Sequence, residues 1–155
     1  MIYSLLTAGV YALDHCVKEH VNSDRIQGTT EKKLGGRVIL RNCHNEGMML
    51  GILEKKDKAS VREISTLVLG GVLWETIRTK TRDSGKLSKL GLSMVLGGGL
   101  NNYLERKNRG YVTDYVSFDL GNEKLKKVVF NISDFFIFAG SAMWAAGNFF
   151  SDRKK

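Results

Sequence analysis

The apolar residues of this chain are gathered into four blocks with charge at their borders, and that segregation limits the folds open to it. Residues 1–13 (MIYSLLTAGVYAL) end at Asp14, and residues 64–77 (ISTLVLGGVLWETI) are interrupted only by Glu75. Residues 90–104 (LGLSMVLGGGLNNYL) end at Glu105 and Arg106, and residues 135–151 (FFIFAGSAMWAAGNFFS) lie between Asp134 and Asp152. Each block reads as a helix, and each is rich in small residues of the kind that let helices approach closely. A mean hydropathy of -0.18 averages these blocks with the charged segments between them and conceals the pattern. Crossing a bilayer takes about 20 apolar residues, with about 17 as the lower limit. Only the last block meets that limit without a charge. The others meet it only where their polar ends face the inside of a bundle or the membrane interface. Hydropathy alone leaves a soluble four-helix bundle as the competing architecture.

Charge placement favours the membrane architecture. The formal net charge is +8, which suits either nucleic-acid binding or loops that face an inner leaflet. The connector RTKTRDSGKLSK carries Arg78, Lys80, Arg82, Lys86 and Lys89 against Asp83, and the tail carries Arg153, Lys154 and Lys155. If the blocks span, these segments and both termini are cytoplasmic. Segments 14–63 and 105–129 are then extracytoplasmic. They read as strands and turns. Residues 36–41 alternate in part and meet a turn-like stretch at 42–47. Residues 111–118 are rich in β-branched and aromatic side chains, and residues 124–130 read as extended. The expected fold is a mainly α membrane protein: one domain, 1–155, of four transmembrane helices with a small extracytoplasmic β-rich insert. The start lacks a basic n-region and a cleavage site, so no cleavable signal peptide is expected. The absence of proline removes cis-Pro turns and Pro-kinked helices. Cys16 and Cys43 permit one disulfide without requiring it. No aromatic-rich basic surface motif of a nucleic-acid binder is present, so no nucleic-acid partner is expected.

Two aspartates stand on the rims of apolar sequence. Asp114 ends Arg109-Gly-Tyr-Val-Thr-Asp114, and Asp134 ends Phe130-Asn-Ile-Ser-Asp134 and runs straight into Phe135. An ionisable group at the edge of a membrane segment is costly and is a functional candidate by default. Taken singly, each has a plain explanation. Asp134 suits the positive end of a helix dipole, and Asp114 suits a surface strand. Lys18, four residues after Asp14, suits an exposed helix ion pair. Asn45-Glu-Gly47 suits a turn, and Arg106 suits a snorkelling position. His15, Cys16, His20, Cys43 and His44 offer zinc-type ligands, but their spacing matches no standard zinc pattern.

Taken in order, the polar signatures say more. They run Asp14-His-Cys-Val-Lys18, then Asn45-Glu-Gly47, then Asn102-Tyr-Leu-Glu-Arg106, then Gly110-Tyr-Val-Thr-Asp114, then Phe130-Asn131-Ile-Ser-Asp134. This series resembles the lipoprotein signal peptidases, the signal peptidase II family of bacterial inner-membrane aspartic peptidases, over nearly the whole chain. The resemblance implies that Asp114 and Asp134 are catalytic. It implies active-site or substrate-binding roles for Asn45, Gly47, Asn102, Arg106, Asn131, Asp14 and Lys18. It implies no metal or other cofactor, a multi-pass monomer among membrane lipids of the bacterial inner membrane, and a diacylglyceryl-modified prolipoprotein as substrate, cut just before the lipid-bearing cysteine. The chain departs from the family's usual residues at Asn101 (usually Gly), Glu105 (usually Asp), Ser133 (usually Ala), the two valines before Phe130 (commonly including Pro) and Met48-Met49-Leu50 (usually Ala-Ala-Phe), which marks a divergent member. Met48 and Met49 are expected to line an apolar surface.

The chemistry implied is hydrolysis by two carboxyl groups, one ionised and one protonated. Two close like charges do not both ionise easily, so their titrations split. The ionised member draws a proton from water, and the protonated member polarises the scissile carbonyl. Two other readings stay open at this level. One is a family-shaped membrane protein that binds lipoproteins or signal peptides without cutting. The other is a soluble, basic helical protein.

Overall fold

The computed structural model describes residues 1–47, 58–81 and 85–152. Four long helices dominate: α1 (Ile2–Asp24), α2 (Lys58–Thr81), α3 (Lys86–Arg109) and α5 (Ile132–Asp152), with a single-turn helix α4 (Glu123–Lys127). Three strands, β1 (Thr30–Lys33), β2 (Val38–Asn45) and β3 (Val112–Phe118), form one antiparallel sheet in that order. The fold is mainly helical with a small sheet. Among the described residues no helix is long and apolar enough to cross a membrane.

The first three apolar blocks fall in helices that run well past them, whereas the last nearly fills α5. The helix at 1–13 continues to Asp24, and the helix at 90–104 continues to Arg109. The charged residues that closed the blocks, Asp14, Lys18 and Glu105, are helical and buried. Polar side chains that find partners inside a bundle do not end a helix; only loss of the backbone ladder does. The end of α3 comes at Gly110, whose φ of +82° is the left-handed cap that non-glycine residues resist. Its N–H bonds the Arg106 carbonyl at 2.9 Å, and the turn delivers the chain directly into β3.

Helix α3 is the hub. It packs parallel to α1 and antiparallel to α2 and α5, and small residues set the spacing. A methyl group added at Gly97 would lie 2.6 Å from the Thr7 carbonyl oxygen of α1. One added at Gly98 would lie 2.7 Å from the Ser133 carbonyl oxygen of α5, and one at Gly140 would lie 2.5 Å from the Gly91 carbonyl oxygen of α3. Backbone meets backbone at these seams. Large apolar side chains point outward instead, including Leu67, Trp74 and Ile77 of α2 and Phe138, Phe149 and Phe150 of α5.

The insert differs from expectation in three places. Residues 42–45, read as a turn, continue strand β2. Thr30–Lys33, charged and without an apolar face, forms the edge strand β1. Residues 124–127, read as extended, make α4, capped by the Asn122 side chain, which accepts from the N–H groups of Lys124 and Leu125. The remainder of that stretch is extended, with Phe130 bridging Val116. The strand expected around 111–118 is β3. Met48 and Met49, Arg82 and Asp83 of the basic connector, and Arg153 to Lys155 of the tail lie outside the described residues.

Candidate active site

One irregularity in the sheet determines which side chains reach Asp114. Strand β2 pairs Leu40 with Val116 but Cys43 with Asp114, so one extra residue is held in β2 between those pairs. Directly opposed residues share a face, and a shift of one residue exchanges the faces. The bulge therefore puts Asn45, rather than His44, on the face of Asp114. The Asn45 amide nitrogen donates to Asp114 Oδ2 at 2.8 Å. Asn42, in the bulge, turns inward and donates to the Arg25 carbonyl at 2.8 Å, pinning the sheet to the end of α1. The Asn45 side-chain oxygen accepts from the Gly47 N–H at 3.0 Å. The Asn-x-Gly turn is thus real, and it is also part of the site.

The second carboxyl is fixed by the start of α5. Asn131 Oδ1 accepts from the Asp134 N–H at 3.0 Å, and Asp134 Oδ2 accepts from the Asn131 N–H at 3.0 Å. This is a reciprocal capping box with Asp in the Glu position. The capping explanation of Asp134 is correct, and it does not compete with a chemical role, because the same Asn131 reaches across to the other carboxyl. Its Nδ2 donates to Asp114 Oδ1 at 2.7 Å. Phe130 makes this reach possible: its carbonyl accepts from the Tyr115 and Val116 N–H groups at 2.9 Å, which draws Asn131 alongside β3. Asn102, from α3, completes the arrangement by donating to Asp134 Oδ1 at 3.1 Å.

Both aspartates are almost wholly withdrawn from solvent, Asp114 at 4% and Asp134 at 5% exposure. Asp114 is therefore not a surface strand residue. Burial pushes its carboxyl up to about 6; the Asn45 and Asn131 amides and the positive charges of Lys18 and Arg106 act in the opposite direction but do not cancel it. Asp114 and Asp134 line a cavity of about 220 Å³. Asn45, Asn102, Arg106 and Asn131 line it too, while Val68, Leu69, Val72, Val95 and Ile137 supply an apolar wall. Arg106 donates to the Gly47 carbonyl at 2.6 Å and is held at the cavity rather than snorkelling. Among the described residues its buried Nε has no partner.

Asp14 and Lys18 lie behind this pair instead of in it. They are not an exposed helix pair: their side chains are 0% and 1% exposed. Lys18 Nζ lies 3.0 Å from Asp14 and 3.0 Å from Glu105, and it donates to Asn102 Oδ1 at 2.6 Å. Asn102 thus connects the lysine to Asp134. Several members of this layer carry no signal in spacing or composition. Glu105 accepts from the Thr113 hydroxyl at 2.6 Å, and the Tyr115 hydroxyl donates to Asp14 at 2.7 Å. Asn101 and Ser133 were noticed only as departures from a pattern. Cys16 and Cys43 are both free thiols, and no His, Cys, Asp and Glu group among the described residues is arranged to hold a metal.

Comparison with known proteins shows the family of the chain. The sequence model of signal peptidase (SPase) II matches residues 6–150. The chain belongs to the signal peptidase II family. It is 30% identical over 136 residues to a lipoprotein signal peptidase of Lactiplantibacillus plantarum, covering 86% of this chain and 84% of that one. A lipoprotein signal peptidase of Listeria welshimeri is 27% identical over 154 residues, covering 99% and 97%. Among solved structures, a bacterial membrane enzyme determined by the in meso method superposes with a TM-score of 0.83 at 17% identity, covering 99% of this chain and 91% of that one. That likeness shows a shared fold.

Proposed function

We propose that Asp114 and Asp134 are the catalytic pair of this signal peptidase II, an aspartic endopeptidase that removes signal peptides from prolipoproteins. The observation that carries the assignment is Asn131: one residue bonds both carboxyl groups at the head of a half-apolar cavity. Among the described residues each carboxyl accepts from two donors, which leaves lone pairs for a proton, a water and the scissile amide. Four buried carboxyls, Asp14, Glu105, Asp114 and Asp134, face the buried Lys18 and the half-buried Arg106. This excess of acid over base favours a proton retained on the pair. The ionised member takes a proton from water as the water attacks the carbonyl carbon. The protonated member hydrogen-bonds the carbonyl oxygen and then passes its proton to the leaving amine. Asn102 and Asn45 orient the pair, and Arg106 Nε is a donor for the substrate backbone.

The substrate is a diacylglyceryl-modified prolipoprotein, cut before the lipid-modified cysteine. The apolar wall of the cavity suits the signal-peptide side chains or an acyl chain. The four long helices are membrane-embedded, with the sheet and the pair on the extracytoplasmic side and both termini cytoplasmic. Three observations support the embedding: the outward-facing Leu, Ile, Trp and Phe side chains, the backbone-to-backbone helix seams, and helix lengths of roughly 32–36 Å at 1.5 Å per residue. On α1, α3 and α5 the buried polar network lowers window hydropathy. The test is processing of a lipid-modified precursor by detergent-purified protein, and complementation of a cell that lacks its own lipoprotein signal peptidase. Asp114→Asn and Asp134→Asn should each abolish product. Normal processing by either variant would overturn the assignment, and substrate binding without cleavage by the unmodified chain would identify a binding protein instead.

A further inference from the structure

The buried carboxyl of Asp14 gathers five donors from across the fold. Its Oδ2 accepts from Asn101 Nδ2 at 2.8 Å and Ser133 Oγ at 2.5 Å, and it lies 3.0 Å from Lys18 Nζ. Its Oδ1 accepts from the Tyr115 hydroxyl at 2.7 Å and the Ile132 N–H at 3.1 Å. These partners come from α1, α3, β3 and the first turn of α5. Two of them sit directly beside residues that shape the proposed pair: Asn101 precedes Asn102, and Ser133 precedes Asp134. Asn101 also lies 3.4 Å from Ser133 Oγ. All three side chains are essentially fully buried, so none of these bonds is shared with solvent.

We propose that Asn101 and Ser133 are positioning residues for hydrolysis, which lock α3 and α5 to Asp14 and thereby hold Asn102 and Asp134 in register with Asp114. The inference rests on the assignment of Asp114 and Asp134 as the catalytic pair. Its geometric basis is that α3 and α5 already touch at Gly98 and the Ser133 carbonyl, one turn from Asn101. At that seam Gly98 presents no side chain of its own to set the rotation of α3 about its axis. The two bonds to Asp14 fix that rotation, and Asn102 follows it. A small rotation leaves the cavity and the fold in place but moves the Asn102 donor off Asp134 Oδ1. Displacements of about 1 Å in a catalytic arrangement can cost roughly 10²-fold in rate.

The experiment measures kcat and KM for a lipid-modified precursor with the full chain in detergent, normalised to folded protein by size-exclusion recovery. The variants are Ser133→Ala, Asn101→Ala and the double. Expected is a fall in kcat of roughly tenfold for each single variant with KM near its original value, because the lost buried hydrogen bond acts on the reacting geometry and not on substrate binding. The double variant should lose less than the product of the two singles, since both bonds end on one oxygen. Ser133→Ala removes a single hydroxyl and decides the question even where Asn101→Ala lowers the yield of folded protein. Unchanged kcat per folded molecule in Ser133→Ala, or a change confined to KM or yield, overturns the positioning role. Asp114→Asn and Asp134→Asn run in the same assay separate the two claims. If they retain activity, the pair itself is wrong; if they are inactive while Ser133→Ala is unaffected, only the positioning role falls.

Discussion

Two carboxylate centres lie side by side in this molecule, and they are built to opposite specifications. Asp14 is saturated: five donors surround it, one of them the Lys18 ammonium. Asp114 and Asp134 are also buried but undersupplied, with two donors each among the described residues and an open cavity beside them. Burial of a carboxylate is affordable in either case only because hydrogen bonds replace water. The difference lies in what remains. A carboxylate with all its lone pairs taken is a structural anchor, whereas one with lone pairs to spare binds a proton or a water. The residue type is the same in both centres, and the count of donors separates anchor from reagent.

The largest expected effect breaks the undersupplied centre. Asp114→Asn or Asp134→Asn should lower cleavage by roughly 10²–10⁴-fold while the fold survives, since the asparagine keeps the shape. The complementary substitution breaks the anchor. Lys18→Met strands Asp14 and Glu105 without their buried cation, and the expected loss is about 3–5 kcal/mol of stability. Thermal unfolding in detergent should show Lys18→Met far below the wild type and Asp114→Asn close to it. The reverse ranking would refute the division of labour.

Proton linkage sharpens the same contrast. The Asp114 carboxyl titrates at about 6 in the folded chain, because burial disfavours its charge. In the unfolded chain it titrates near 4. The folded state therefore holds this proton more tightly, and the associated stability is fully present below about pH 4 and lost as pH rises through about 6. The size is about 3 kcal/mol for a two-unit difference. Relative to wild type, Asp114→Asn should gain melting temperature as pH rises over that window, and a parallel pair of curves would show that burial does not act as described. The smallest effect concerns Asn131. Serine is an equally good cap, so Asn131→Ser should hold stability to within about 0.5 kcal/mol. It cannot supply the amide donor to Asp114, and cleavage should fall about tenfold. A fully active Asn131→Ser would remove the bridge from the argument.

The four helix cores were legible because apolar residues collect in blocks, and the pair was legible because its motifs occur in order. Helix ends were not. Asp14, Lys18 and Glu105 look like termini in a hydropathy profile, yet they carry their helices onward, since their charges are neutralised by partners remote in sequence. Strand β1 was hidden for a related reason: as an edge strand it buries little and needs no apolar face. The α4 turn left a usable trace, the Asn122 cap followed by Glu123 in the first turn, which was outweighed by the valines that follow. Tyr115 and Thr113 left none, because their value lies in which helix their hydroxyls meet.

The capping box at the head of α5 also ties the assembly of the proposed pair to the docking of that helix. Asp114 belongs to a strand that precedes α5 in the chain, and the Asn131 amide that steadies it belongs to the first turn of that helix. Until α5 winds and docks on α3, Asp134 has neither its cap nor its Asn102 contact, and no second carboxyl stands beside the first. On the proposed assignment the pair is complete only once α5 is seated on α3.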